Sequence, residues 1–275
     1  MERPFVKMNG LGNDFVVAPA GADAPFAPTA ARARAIADRR RGIGCDQLIV
    51  VGPSRAADVA MRIWNADGAA VEACGNAARC VAWLAMEATG RDAARIETPA
   101  GTVEAHRAGP MAVTVDMGAP RLDWRDIPLA REMDTREIDL TVNPAVRAPG
   151  CVSMGNPHVV FFVAGSDPAA VEEIGTLIER HPLFPRGVNV GFARILSPER
   201  IHLRVWERGA GMTKACGTGA CAALVAAHRR GLAGRAATVE MDGGPLEIAW
   251  READGHVLMT GPVAVEFTGR LEGGA

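Results

Sequence analysis

The chain of 275 residues repeats itself, and the repeat limits the folds open to it. Arg62-Ile63-Trp64-Asn65 lies ahead of Ala73-Cys74-Gly75-Asn76, and Arg204-Val205-Trp206-Glu207 lies ahead of Ala215-Cys216-Gly217-Thr218. In both copies twelve positions separate the Arg from the Cys, and the copies are offset by 142. Three further pairs match at that offset or one more: Gly12–Val17 with Gly155–Val160, Asp46–Leu48 with Val188–Val190, and Gly101–Glu104 with Gly244–Glu247. Collinear matches at nearly one offset predict two copies of one fold, with a boundary near residue 120. The period is too long for a solenoid. It predicts a pseudo-twofold pair of domains with a ligand cleft between them, since domain interfaces are favoured ligand sites.

Within each copy the pattern is mixed. Val59–Trp64, Met111–Val115, Val159–Val163, Ile201–Trp206 and Val257–Met259 are short β-branched or alternating runs bounded by turn residues, and they predict strands. Thr29–Arg40 reads as a helix, as do Asn76–Ala88, closed by Gly90, and Thr218–Arg230, closed by Gly231. The last two helices are apolar nearly all round, which predicts burial on every side. Each copy is expected to wrap its strands around one such central helix.

Composition narrows the function. The formal net charge is −2 and aromatic residues make up 5%, without a tyrosine, so neither a basic nucleic-acid face nor a stacking platform is indicated. Of the 30 basic residues only Lys7 and Lys214 are lysines, which leaves few candidates for Schiff-base chemistry with PLP. No secretory signal is visible, and no apolar run approaches the roughly 18 residues of a spanning helix. The reading is cytoplasmic, with Cys45, Cys74, Cys80, Cys151, Cys216 and Cys221 as thiols. There is no CxxC, no HExxH and no zinc spacing, so neither a metal nor a cofactor is expected.

The repeated cysteine carries the chemistry. In each copy Cys-Gly opens the buried helix. There the helix dipole should lower the thiol pKa, and the first helical N–H groups of Gly75, Asn76, Gly217 and Thr218 can face an anion. Two such sites supply two bases for one carbon centre: one thiol removes a proton from one face and the other returns a proton to the opposite face. Cys80 and Cys221, inside the helices, read as packing residues; Cys45 and Cys151 have no repeat partner.

The runs Lys7–Phe15, Gly42–Gln47, Asn65–Gly68, Cys74–Cys80, Gly155–His158, Gly187–Asn189, Glu207–Gly209 and Ala215–Gly219 together resemble the diaminopimelate epimerase family, in the family's order across residues 7 to 221. The resemblance implies a PLP-independent isomerase that interconverts LL- and meso-diaminopimelate in lysine and peptidoglycan precursor synthesis, and a homodimer. It implies an α+β fold of two pseudo-symmetric domains, 1–120 plus 263–275 and 121–262. Each would be a barrel-like, mainly antiparallel sheet around a central helix.

Carried over by position, Cys74 and Cys216 are the acid/base thiols. Gly75, Asn76, Gly217 and Thr218 hold the reacting carboxylate. Asn65, Asn156, Asn189, Glu207 and Arg208 read the distal amino-acid head, Asn13 and Gln47 line the same cleft, and His158 supports the thiols. Asn65 in one copy corresponds to Glu207 in the other, so the symmetry breaks where two ends of one substrate must be told apart. Two departures from the family pattern are Ala73, where a polar residue is expected, and Ala77-Ala78, where a glycine is expected. Rival readings are a proline racemase or hydroxyproline epimerase of the same architecture, and a thiol redox or ligand-binding protein. The distal-head residues favour diaminopimelate over the first, and the second matched thiol argues against the second. Facing thiols would also predict an inactive Cys74–Cys216 disulfide.

Overall fold

The computed structural model describes residues 2–21, 25–71 and 74–272. The chain forms two compact units, Met1–Val115 with Thr260–Ala275, and Asp116–Met259.

The first unit runs β1 (Arg3–Gly10), β2 (Asn13–Pro19), α1 (Ala30–Ala37), β3 (Gln47–Gly52), β4 (Val59–Asn65), β5 (Ala70–Val71), α2 (Gly75–Thr89), β6 (Ala93–Thr98), β7 (Gly101–Gly109) and β8 (Ala112–Asp116). A short hairpin follows, β9 (Thr141–Asn143) and β10 (Val146–Arg147). The same order then returns as β11 (Gly150–Ser153), β12 (Pro157–Phe162), α3 (Pro168–Glu179), β13 (Asn189–Ser197), β14 (Arg200–Glu207), β15 (Gly211–Thr213), α4 (Gly217–Arg229), β16 (Ala236–Met241), β17 (Gly244–Trp250) and β18 (Val257–Pro262). A last strand, β19 (Ala264–Leu271), pairs antiparallel with β1 and so belongs to the first unit.

Pairing repeats along with order. Phe15 faces Gln47 in the parallel β2–β3 pair, and His158 faces Asn189 in the parallel β12–β13 pair. Ile63 faces Val71, and Val205 faces Thr213. Gly101 and Gly244 open equivalent strands with φ of 130° and 129°, a conformation that L side chains rarely adopt. The α+β fold with two repeats is therefore real at the level of register, and most ladders are antiparallel.

Each unit packs its sheet on its own repeat helix. Helix α4 buries every residue from Cys221 to Ala227 and touches β11, β12, β13, β14, β16 and β17. Helix α2 touches β1, β2, β6 and β7 and buries Asn76 through Ala82 with Met86, but Glu87–Thr89 are exposed, so its all-round burial ends about one turn early. Arg79 is fully buried in α2, and a Cβ on Gly10 would lie 3.2 Å from its Nη2, so β1 passes close above that side chain.

Helix α1 stops at Ala37 rather than Arg40. Asp38 takes an extended ψ of 117°, and its carboxylate accepts the N–H groups of Arg40 and Arg41, offering the backbone an alternative to another turn. Helix α3 was not foreseen, although its signals are in the sequence. Asp167 caps Ala169 N, Pro168 follows at the first turn, and Val171, Ile174 and Ile178 form the buried stripe. The segment 117–149 has no counterpart in the first unit. Its Ile127, Leu129, Ile138, Leu140 and Val146 extend the second unit's core against Phe161, Ile174 and Phe192.

Candidate active site

In the first unit, Leu11 and Gly12 turn β1 into β2 with φ of 61° and 81°. Positive φ at both positions is a type I′ hairpin, and it matches the twist of the two strands. Asn13 is thereby the first residue of β2 and not the turn former. Its amide reaches two ways: Nδ2 donates to Asp46 Oδ2 at 2.9 Å, and Oδ1 accepts from Cys74 Sγ at 3.8 Å. Behind it lies a charged cluster. Lys7, nearly fully buried, pairs with Asp14 and donates to the Gly44 carbonyl. Arg39 reaches Asp14 at 2.8 and 3.0 Å and Asp46 at 2.7 Å. Burial opposes the Asp14 charge, but the bonds from Arg39 and Lys7 outweigh it and hold the carboxyl well below the usual range.

Cys74 caps α2 in an extended conformation, and its sulfur does not bond the helix. The first N–H groups of α2 therefore precede any helical acceptor. Gln47 donates to Asn65 Oδ1 at 2.9 Å. Two acceptors, Gln47 Oε1 and Asn76 Oδ1, are buried with no hydrogen-bond partner among the described residues. Ala73 lies outside the described residues; Ala77 and Ala78 are buried in α2.

The second unit holds the matching set. Cys216 caps α4, and its Sγ accepts from Gly219 N at 3.4 Å and lies 3.6 Å from Thr218 Oγ1. Thr218 Oγ1 is 3.0 Å from His158 Nε2 and accepts from Asn156 Nδ2 at 3.3 Å. Asn156 Oδ1 is also 3.0 Å from that His nitrogen. His158 sits in β12 between β11 and β13, not at an edge. Burial, with the nearby Arg208 charge, pushes its pKa down to about 3, so the ring is neutral.

Glu207 accepts from the Thr213 hydroxyl, and burial raises its pKa. The expected lowering of the thiol pKa does not hold for Cys216: burial first, then the Glu207 charge, push it well above the ordinary value. Desolvation of a fully enclosed sulfur outweighs the helix terminus.

Asn189 is buried and already engaged. It donates to Pro157 O at 3.0 Å and accepts from Arg208 N at 2.9 Å. The Arg208 side chain is exposed and donates to the Arg186 carbonyl at 2.9 Å, so Glu207 and Arg208 do not form a surface pair with each other. Lys214 is exposed, and Asp67-Gly68 makes a turn, with Gly68 at φ 83°. Cys45 and Cys80 are buried thiols whose pKa values burial raises to about 11 and about 12.

Comparison with known proteins matches the diaminopimelate epimerase family model over residues 5–122 and 150–266, which are the two repeats without the segment between them. The chain belongs to the diaminopimelate epimerase family. It is 63% identical over 274 residues to the diaminopimelate epimerase of Phenylobacterium zucineum (strain HLK1), covering 98% of each chain, and 57% identical to that of Caulobacter sp. (strain K31), again covering 98% of each. Among solved structures it resembles a PhzF-family phenazine biosynthesis protein of Bacillus anthracis (TM-score 0.71, 15% identity, 99% of each chain). It also resembles a hydroxyproline epimerase of Agrobacterium vitis (TM-score 0.69, 18% identity, 98% of this chain and 91% of that one). Those two likenesses are of fold alone. Within the epimerase family the chain is an isomerase. Among its described residues no helix is long and apolar enough to cross a membrane.

Two residues of the site were missed in the sequence. Thr213, under Glu207, and Asp46, beside Asn13, each sit next to a residue that was singled out. The repeat comparison held the signal for the latter, because Asp46 stands opposite Val188.

Proposed function

We propose that the chain interconverts LL- and meso-2,6-diaminopimelate without PLP, as a cytoplasmic homodimer, with Cys74 and Cys216 as its two bases. The observation that carries this reading is the pair of cysteines at the same position of both repeats, each at the N-terminus of its unit's repeat helix. One thiolate takes the α-proton, leaving a carbanion, and the other thiol donates its proton to the opposite face. The reaction is balanced when the second sulfur ends as the thiolate. The helix N–H groups of Gly75, Asn76, Gly217 and Thr218 would hold the α-carboxylate and the charge that develops beside it.

The raised pKa of Cys216 supports its starting as the protonated partner. The unmet acceptors Gln47 Oε1 and Asn76 Oδ1 suit the ammonium donors of a diamino acid. Asn65, Asn156, Asn189, Glu207 and Arg208 would read the distal head, Asn13 would face Cys74, and His158 would anchor Thr218 beside Cys216. We assign the domains as 1–120 with 263–275, and 121–262.

The test is incorporation of solvent deuterium at the α-carbon of LL-diaminopimelate without added PLP. Wild type should exchange and epimerise, and Cys74→Ala and Cys216→Ala should each lose epimerisation. Exchange from proline or 4-hydroxyproline in place of diaminopimelate would refute the assignment.

A further inference from the structure

The two repeats place an asparagine at the same point, Asn13 and Asn156, but hold its amide by different partners. Asn13 Nδ2 donates to Asp46, whose repeat counterpart is Val188. Asn156 Oδ1 lies against His158 Nε2, whose counterpart is Phe15. Phe15 and Val188 are both completely buried. Of the Asp46 and His158 positions, each repeat thus keeps one polar and fills the other with hydrocarbon, while Asn156 Nδ2 also donates to Thr218.

The exchange has a direction. An ionised carboxylate can only accept, so Asp46 fixes which end of the Asn13 amide is nitrogen. Asp46 is itself held on both oxygens, by Arg39 on Oδ1 and by the N–H of Asp14 on Oδ2. The Asn13 carbonyl oxygen is left facing Cys74 Sγ. That oxygen accepts from a thiol and opposes a thiolate. In the second unit the groups within reach of the sulfur include donors, Gly219 N–H and the Thr218 hydroxyl.

We propose that Asp46 is a positioning residue that locks the Asn13 amide with its carbonyl toward Cys74, and so limits the share of Cys74 that is thiolate before substrate binds. Asp46 touches neither the sulfur nor, on the reading above, the substrate; it acts through Asn13. The charged and titratable groups around this point are Lys7 on β1, Asp14 on β2, Arg39 after α1, Cys45 and Asp46 before β3, and Arg79 and Cys80 on α2. Asp14 keeps its own bonds from Lys7 and Arg39 when Asp46 is replaced, so the cluster retains its anchor.

The test reads the thiol directly and needs no substrate, so it is independent of the reaction assigned above. The rate of iodoacetamide alkylation at Cys74 and at Cys216 is followed by mass spectrometry from pH 6 to 10 in wild type, Asp46→Ala and the isosteric Asp46→Asn. Freed from Asp46, the Asn13 amide can turn and donate to the sulfur. The Cys74 profile should move to lower pH by about one unit in Asp46→Ala, giving about ten times more thiolate at neutral pH. Lower intrinsic nucleophilicity reduces that to a rise of roughly threefold in alkylation rate. Asp46→Asn, with one acceptor oxygen for three donors, should move less and in the same direction. Cys216 should not change. An unmoved Cys74 profile in folded Asp46→Asn, or an equal shift at Cys216, would overturn the proposal.

Discussion

Replacing Asp14 by Asn should be among the most damaging single changes in the first unit, and the reason is Lys7. The Lys7 side chain is 4% exposed and that of Asp14 12%. The lysine has two partners, the Asp14 carboxylate and the Gly44 carbonyl. Removing the carboxylate charge leaves an ammonium group buried among neutral acceptors only, the Gly44 carbonyl and the introduced amide oxygen. Breaking a buried pair from one side costs about 3–5 kcal/mol, whereas replacing both charges by apolar groups of similar size is often close to neutral. Asp14→Asn should therefore lower stability by about 3–5 kcal/mol, and Lys7→Met with Asp14→Leu should recover most of that loss. Urea unfolding followed by far-UV circular dichroism measures both. The pH dependence has a fixed sign. Asp14 is depressed in the folded protein, so its contribution is present above the ordinary aspartate range and is lost as pH falls through the folded value. Wild type should lose stability on acidification below about pH 4, and Asp14→Asn should lose less over the same interval. A single variant within about 1 kcal/mol of wild type, or a double variant no better than the single, would refute this account of the pair.

Two further outcomes follow from the second unit. Thr213→Val removes the hydroxyl that donates to Glu207, leaving burial to raise that carboxyl further; the acidic limb of kcat/KM should move to higher pH with about a tenfold loss below it, seen in a pH–rate profile. Gly175→Ala builds a Cβ 2.5 Å from Trp206 Cγ, so α3 and β14 must part, at about 1–3 kcal/mol in urea unfolding and with a changed tryptophan emission.

The repeat made much of this legible. Matching Arg62 with Arg204 and Cys74 with Cys216 put strand, loop and buried helix in their places twice, and the paired registers follow from that. The helices with glycine beyond their ends were readable from the same rules, since Gly90 and Gly231 both adopt positive φ. Less legible were contacts made across the fold. That Asn189 would spend its amide on Pro157 and Arg208 depends on how β12, β13 and the β14 turn converge, and no local pattern records it. The thiol of Cys216 shows the same limit. A helix terminus can be read from neighbouring residues, but the enclosure that outweighs it is supplied by residues distant in sequence. Helix α3 is the opposite case, for its cap, proline and apolar spacing were all present.

The pairing of β1 with β19 sets an order of assembly. β1 finds β2 at once through a two-residue turn, but its other edge waits for a strand translated after all of the second unit. On the ribosome, the half that emerges first can only finish second. A stall or cleavage between Met259 and Ala264 would leave a second unit complete in sequence and a first unit with an open strand edge, which is where self-association of incomplete chains would begin.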